Sequence, residues 1–70
     1  MIEVFKTDVQ KANDAHNIVE LVLQHFPGIK VNFDLNDCDK ILRVEGKDFS
    51  TDRVMVLVKE HGFHCSILEC

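Results

Sequence analysis

The hydrophobic and polar positions of this chain follow two different periods, and the switches between them divide it into six segments. Ile2 to Thr7 is rich in β-branched and aromatic residues and predicts a first strand. From about Gln10 to Phe26, Ala12, Ala15, Ile18/Val19, Val22 and Phe26 recur every three or four residues, the apolar stripe of an amphipathic helix. Asp8, Asn13 and Asp14 are candidate caps at its start. Pro27-Gly28 marks its end, since neither residue continues a helix. Ile29, Val31, Phe33 and Leu35 then alternate with Lys30, Asn32, Asp34 and Asn36, which predicts a strand with one buried and one wetted face. Asn36-Asp37-Cys38-Asp39 is turn chemistry. Lys40 to Glu45 returns as a strand with Leu42 and Val44 on one face, completing a hairpin, and Gly46-Lys47-Asp48 leads out of it.

Ser50 to His61 carries conflicting signals. Val54, Val56 and Val58 are β-branched at period two, the mark of a strand. Ser50, Thr51 and Asp52 nevertheless supply a helix N-cap and an acidic first turn, and Gly62 is placed as a C-terminal stop. Val54, Leu57, Val58 and His61 also fall at helical spacing, so the segment is expected to be a helix. Phe63 to Glu69 closes the chain as a strand, with Cys65 and Ile67 alternating with His64, Ser66 and Leu68.

The order strand–helix–strand–strand–helix–strand, joined by right-handed crossovers, is the ferredoxin-like βαββαβ arrangement. It predicts an α+β fold in which a four-stranded antiparallel sheet of order 4-1-3-2 carries both helices on one face. That topology brings three connections to one end: the loop after the first strand, the hairpin turn, and the link from the second helix to the last strand.

Seventy residues, 46% of them apolar, make one small domain, 1–70, with a thin core and no room for a large enzyme cleft. No run approaches the roughly 20 apolar residues of a membrane-spanning helix. The start Met1-Ile2-Glu3-Val4-Phe5-Lys6 lacks the charged-then-apolar order of a signal peptide. Twelve acidic against eight basic side chains give a net charge of −4, which argues against a nucleic-acid partner. The three cysteines, Cys38, Cys65 and Cys70, form neither a disulfide framework nor a C-x-x-C pair, so a reducing, cytoplasmic compartment is expected. The carboxylates beside Cys38 make it a poor nucleophile, Cys65 reads as a small buried hydrophobe, and Cys70 is open to adventitious oxidation.

The stretch Phe26-Pro27-Gly28-Ile29-Lys30-Val31-Asn32-Phe33-Asp34-Leu35 resembles the helix exit and second strand of heavy-metal-associated (HMA) domains, the metal-binding modules of copper chaperones and P-type ATPases. Val44-Glu45-Gly46 is similar to the end of that family's third strand, and Glu60-His61-Gly62-Phe63 to its second helix exit. The resemblance runs over essentially the whole chain and implies the same fold. The family's chemistry lies in a Met-x-Cys-x-x-Cys loop after the first strand, where two thiolates hold a soft metal. Here that motif falls on Gln10-Lys11-Ala12-Asn13-Asp14-Ala15. Both thiolate positions are alanine, Ala12 and Ala15. The resemblance thus implies an HMA-like domain with a degenerate metal site and no cofactor.

Other constellations offer less. His61, His64 and Cys65 lie close in sequence, but a zinc site needs four ligands, or three and water. Gly62 also separates the two histidines, and strand alternation points His64 away from Cys65. Asp8, Asp14, Asp37, Asp39 and His61 could form an acidic rim at the shared loop end, suited to a hard cation or a basic partner. Capping and turn solvation account for the same aspartates. His16 and His25 lie off the apolar stripe of the first helix, and Met55 suits helix packing. Neither Ser50 nor Ser66 has a His–Asp pair to activate it, and the three glycines form no phosphate loop, so no enzyme is expected. If Phe5, Thr7, Leu42, Val44, Cys65 and Ile67 face the helices, the other side of the sheet presents Ile2, Val4, Ile41 and Leu68. An apolar patch rimmed by Lys6, Arg43, His64 and Ser66 is an association surface. The expected function is association with a protein partner or with a second copy; the alternative is a divergent metal carrier using His61, His64 and Cys65 or the acidic rim.

Overall fold

Strands and helices as short as these cannot bury an apolar face singly, and they do so by stacking in two layers. The computed structural model describes residues 1–68. It shows β1 (Ile2–Thr7), α1 (Ala12–His25), β2 (Lys30–Asp34), β3 (Ile41–Glu45), α2 (Thr51–Glu60) and β4 (Cys65–Ile67). The four strands form one antiparallel sheet of order β2-β3-β1-β4, the expected ferredoxin-like order. Phe5, Leu42, Val44 and Cys65 from one face of the sheet pack with Ile18 and Val22 of α1 and with Val54 and Val58 of α2. Both helices therefore cover the same face.

The conflict in Ser50–His61 resolves to a helix. Val54 and Val58 are fully buried while Val56 between them is 50% exposed, which only a 3.6-residue period allows. Ser50 Oγ accepts the Arg53 backbone N–H at 3.3 Å, as its place before the helix implies. Gly28 and Gly62, which follow the two helices, both stand at φ +88°, the left-handed backbone that glycine adopts without strain.

Other expectations require correction. None of Asp8, Asn13 and Asp14 caps α1; Lys11 holds that position with no side-chain hydrogen bond. Ala12 is exposed at the start of the helix, so the buried stripe is Ala15, Ile18 and Val22. Ile67, expected among the covered positions, is 42% exposed. It lies opposite Phe5 on the covered side, but β4 is an edge strand, and among the described residues nothing pairs beyond it to shield its flank. The last strand is also shorter than the expected Phe63–Glu69: Phe63 and His64 lead into it, and the expectations for Glu69 and Cys70 lie outside the described residues. Two core members carried no periodic signal. Val9, fully buried, and Phe49, 6% exposed, sit in connections, where neither helix nor strand spacing marks them.

Candidate functional site: the open sheet face and the loop end

Alternation along the strands decides what the second face of the sheet presents. In register across β2, β3 and β1 stand Lys30–Glu45–Ile2, then Asn32–Arg43–Val4, then Asp34–Ile41–Lys6. The Leu68 backbone N–H donates to the Val4 carbonyl at 2.9 Å, which places Leu68 beside Val4 on this face. The four apolar residues expected here are all present: Ile2 is 51% exposed, and Val4, Ile41 and Leu68 are half-buried by their neighbours. Among the described residues no helix lies over them. Ile2, Val4 and Leu68 adjoin one another, whereas Ile41 is set off by Arg43 and Lys6. Asn32, Phe33, Asp34, Ile41 and Arg43 line a shallow hollow of about 340 Å³ at the β2–β3 side. A second, of about 210 Å³, lies on the outer side of α2 along Asp52, Arg53, Val56, Leu57 and Glu60. Both are open grooves and hold no paired acid and base beside a nucleophile.

The three connections converge at one end, as the topology requires. Thr7, at the end of β1, donates its backbone N–H to the Asp39 carbonyl at 3.1 Å and its hydroxyl to the Lys40 carbonyl at 2.6 Å. The same hydroxyl accepts the Val9 N–H at 3.3 Å. Asp8 Oδ1 accepts the His64 backbone N–H at 2.8 Å across 56 residues of sequence, and Asp8 Oδ2 lies 3.8 Å from His64 Nε2. Lys40, at φ +49°, turns its Nζ back onto the Leu35 carbonyl at 2.9 Å. The first loop, the hairpin turn and the approach to β4 are thus laced together by buried Thr7 and exposed Asp8.

Of the aspartates expected to form an acidic rim, Asp8 takes part in this lacing, while Asp37 and Asp39 have nearer partners. Asp37 Oδ1 accepts the Asp39 N–H at 2.9 Å, and Asp39 Oδ1 lies 3.6 Å from Lys6 Nζ. Asp14 sits in the first turn of α1. His61 caps the end of α2 with Nδ1 3.2 Å from the Leu57 carbonyl. Among the described residues, one set of three metal-competent side chains comes within 4.8 Å, Asp37, Cys38 and Asp39, in the hairpin turn. His61, His64 and Cys65 are not such a set. The His64 side chain is 93% exposed on one side of the strand, and Cys65 is 3% exposed on the other. Burial pushes the Cys65 thiol up from 9.0 to about 11, against a smaller opposite effect of Lys59, so it stays protonated at neutral pH. His16 and His25 are exposed, and Met55 packs against the core.

No protein-family model matches the chain, and no curated protein shows significant similarity to it. Among the described residues no helix is long and apolar enough to cross a membrane.

Proposed function

We propose that this chain is a non-enzymatic association module, an HMA-like domain with a degenerate metal site, whose uncovered sheet face docks a protein partner. The observation that carries this reading is the contiguous Ile2, Val4 and Leu68 patch, with Ile41 beyond it, on a face that no helix covers. Charges of both signs rim the patch: Lys6, Lys30 and Arg43 against Asp34 and Glu45. A partner that fits has an apolar centre and its own mixed-charge rim, since complementary rims set register and like charges exclude wrong partners. A reducing cytoplasmic setting suits the buried, protonated Cys65 and the unpaired Cys38. The alanines at positions 12 and 15 support a module that has left metal transfer behind.

The test compares wild type with Ile2→Lys and Ile41→Lys on the patch and with Val56→Lys, an exposed apolar position on α2. A partner retained by wild type and by Val56→Lys, yet lost from both patch variants, supports the reading. Equal retention by all four proteins moves the site elsewhere. Tight one-to-one zinc or copper(I) binding by the reduced protein, abolished in His61→Ala, would overturn it in favour of a metal carrier.

A further inference from the structure

The edge of the sheet formed by β2 points to a second copy of this chain. β2 has a strand neighbour on one side alone, so the backbone groups along its other side have no strand to bond. Which groups these are follows from the pairing. The Gly46 N–H donates to the Met1 carbonyl at 2.9 Å. In an antiparallel ladder, directly opposed residues alternate between hydrogen-bonded and non-hydrogen-bonded pairs. Val44 and Leu42 therefore turn their backbone groups toward β1, as Gly46 does, while Glu45, Arg43 and Ile41 turn theirs toward β2. Their partners Lys30, Asn32 and Asp34 face β3 in return. The groups left at the edge are the N–H and C=O of Val31 and Phe33. Among the described residues no backbone or side-chain group from another element bonds to them.

The side chains along this edge match themselves when the strand is reversed. About Asn32 as centre, an antiparallel copy sets Asn32 opposite its own equivalent, Val31 opposite Phe33, Lys30 opposite Asp34, and Ile29 opposite Leu35. Each Lys30 meets an Asp34 of the other copy, on the exposed face, at two equivalent places. These fall at the non-hydrogen-bonded positions, where opposed side chains come closest. The half-buried Val31 and Phe33, already packed against the core, meet apolar partners on the covered face. The groups available for bonding and the side chains that would meet thus agree on one register. The strand also lacks the usual protection of an edge: it holds no proline and no bulge within Lys30–Asp34, and its single lysine has an acidic counterpart two turns of the pleat away. The opposite edge, β4, is protected by being three residues long.

We infer that β2 pairs antiparallel with β2 of a second copy, centred on Asn32, to give a two-fold dimer with one continuous eight-stranded sheet. Four backbone hydrogen bonds join the copies, between Val31 of each and Phe33 of the other. A two-fold axis perpendicular to the sheet keeps all the helices on one side. It sets the two open faces side by side as one surface, so a partner bound there meets two patches. The pairing uses β2 and not Ile2, Val4 or Leu68, and it stands or falls independently of the partner-docking reading.

Sedimentation equilibrium up to millimolar protein, with amide hydrogen exchange at low and high concentration, tests this. Wild type is expected to double in mass, and the Val31 and Phe33 amides are expected to gain protection as it does so. Asp34→Lys turns two opposite-charge pairs into like-charge pairs and is expected to weaken dimerisation about tenfold. Asn32→Lys, which sets a cation against itself on the axis, is expected to do the same. Lys30→Asp combined with Asp34→Lys restores complementarity and is expected to restore the dimer. All four substituted side chains are exposed, so unchanged circular dichroism and unchanged protection in β1 and β3 establish that each variant is folded. Wild type that stays monomeric at every concentration overturns the inference. A dimer indifferent to Asn32→Lys and Asp34→Lys overturns it equally, as does one abolished by Ile2→Lys but not by Asn32→Lys.

Discussion

The two faces of the sheet carry adjacent residues of the same strands and behave as different materials. On the covered face Phe5, Leu42 and Val44 are fully buried. One residue away, Val4, Ile41 and Arg43 stand on the open face, half-buried or exposed. The open face shares some apolar residues with the covered one, but it sets them among Lys6, Lys30, Asn32, Asp34, Arg43 and Glu45. What separates them is that both helices dock on one side of the sheet, so the apolar residues there are shielded from water. The covered face holds the fold together, and the open face is held in place by it.

Substitutions at neighbouring positions sharpen this contrast most. Leu42→Ala, in the covered layer, is expected to cost about 2–5 kcal/mol and to leave so small a domain largely unfolded. Ile41→Ala, one residue away, is expected to cost about 1 kcal/mol or less. Urea unfolding of both variants checks the pair, and equal losses would show that the open face is also core. The pH dependence of stability reads the same layer. Burial holds the Cys65 thiol at about 11 against 9.0, so the folded protein keeps a proton there that the unfolded chain gives up. The resulting stability is complete below about pH 9 and is lost as pH rises through about 11, a difference of about 2–3 kcal/mol. Cys65→Ala is expected to start less stable but to lack that decline, and parallel curves for the two proteins would contradict the burial of a protonated thiol.

Thr7 and Lys6 make the comparison again at the loop end, with smaller effects. Thr7→Val removes the hydroxyl that bridges the Lys40 carbonyl and the Val9 N–H, leaving both without their partner, and is expected to cost about 1–3 kcal/mol. Lys6→Ala breaks an exposed pair with Asp39 and is expected to change stability by about 0.5 kcal/mol or less. Thermal unfolding of the two variants side by side distinguishes a buried bridge from a solvated one. If they lose the same amount, the lacing of the three connections is not what stabilises this end.

Much of this was legible along the chain, and the exceptions have physical causes. Periods of two and of three to four exposed the elements, and Ser50 and Gly62 marked the ends of α2, because these signals depend on contacts within a few residues. Alternation likewise assigned Ile2, Val4, Ile41 and Leu68 to one face. Val9 and Phe49 escaped notice because a residue in a connection is buried by what folds over it, and no local period records that. Asp8 looked like a helix cap but accepts a hydrogen bond from His64, a partner 56 residues away. Ile67 looked covered because alternation assigns a face but cannot tell an edge strand from a central one.

The sequence by itself determined the elements, their order and the side of each strand that is apolar. Tertiary structure alone decided which aspartates are engaged and that, among the described residues, Val31 and Phe33 present unbonded backbone groups at an edge. The first set follows from local geometry and side-chain chemistry, which every short stretch of chain carries within itself. The second depends on which strands become neighbours, and a hydrogen-bonding group is satisfied or left free only once the whole sheet has been assembled.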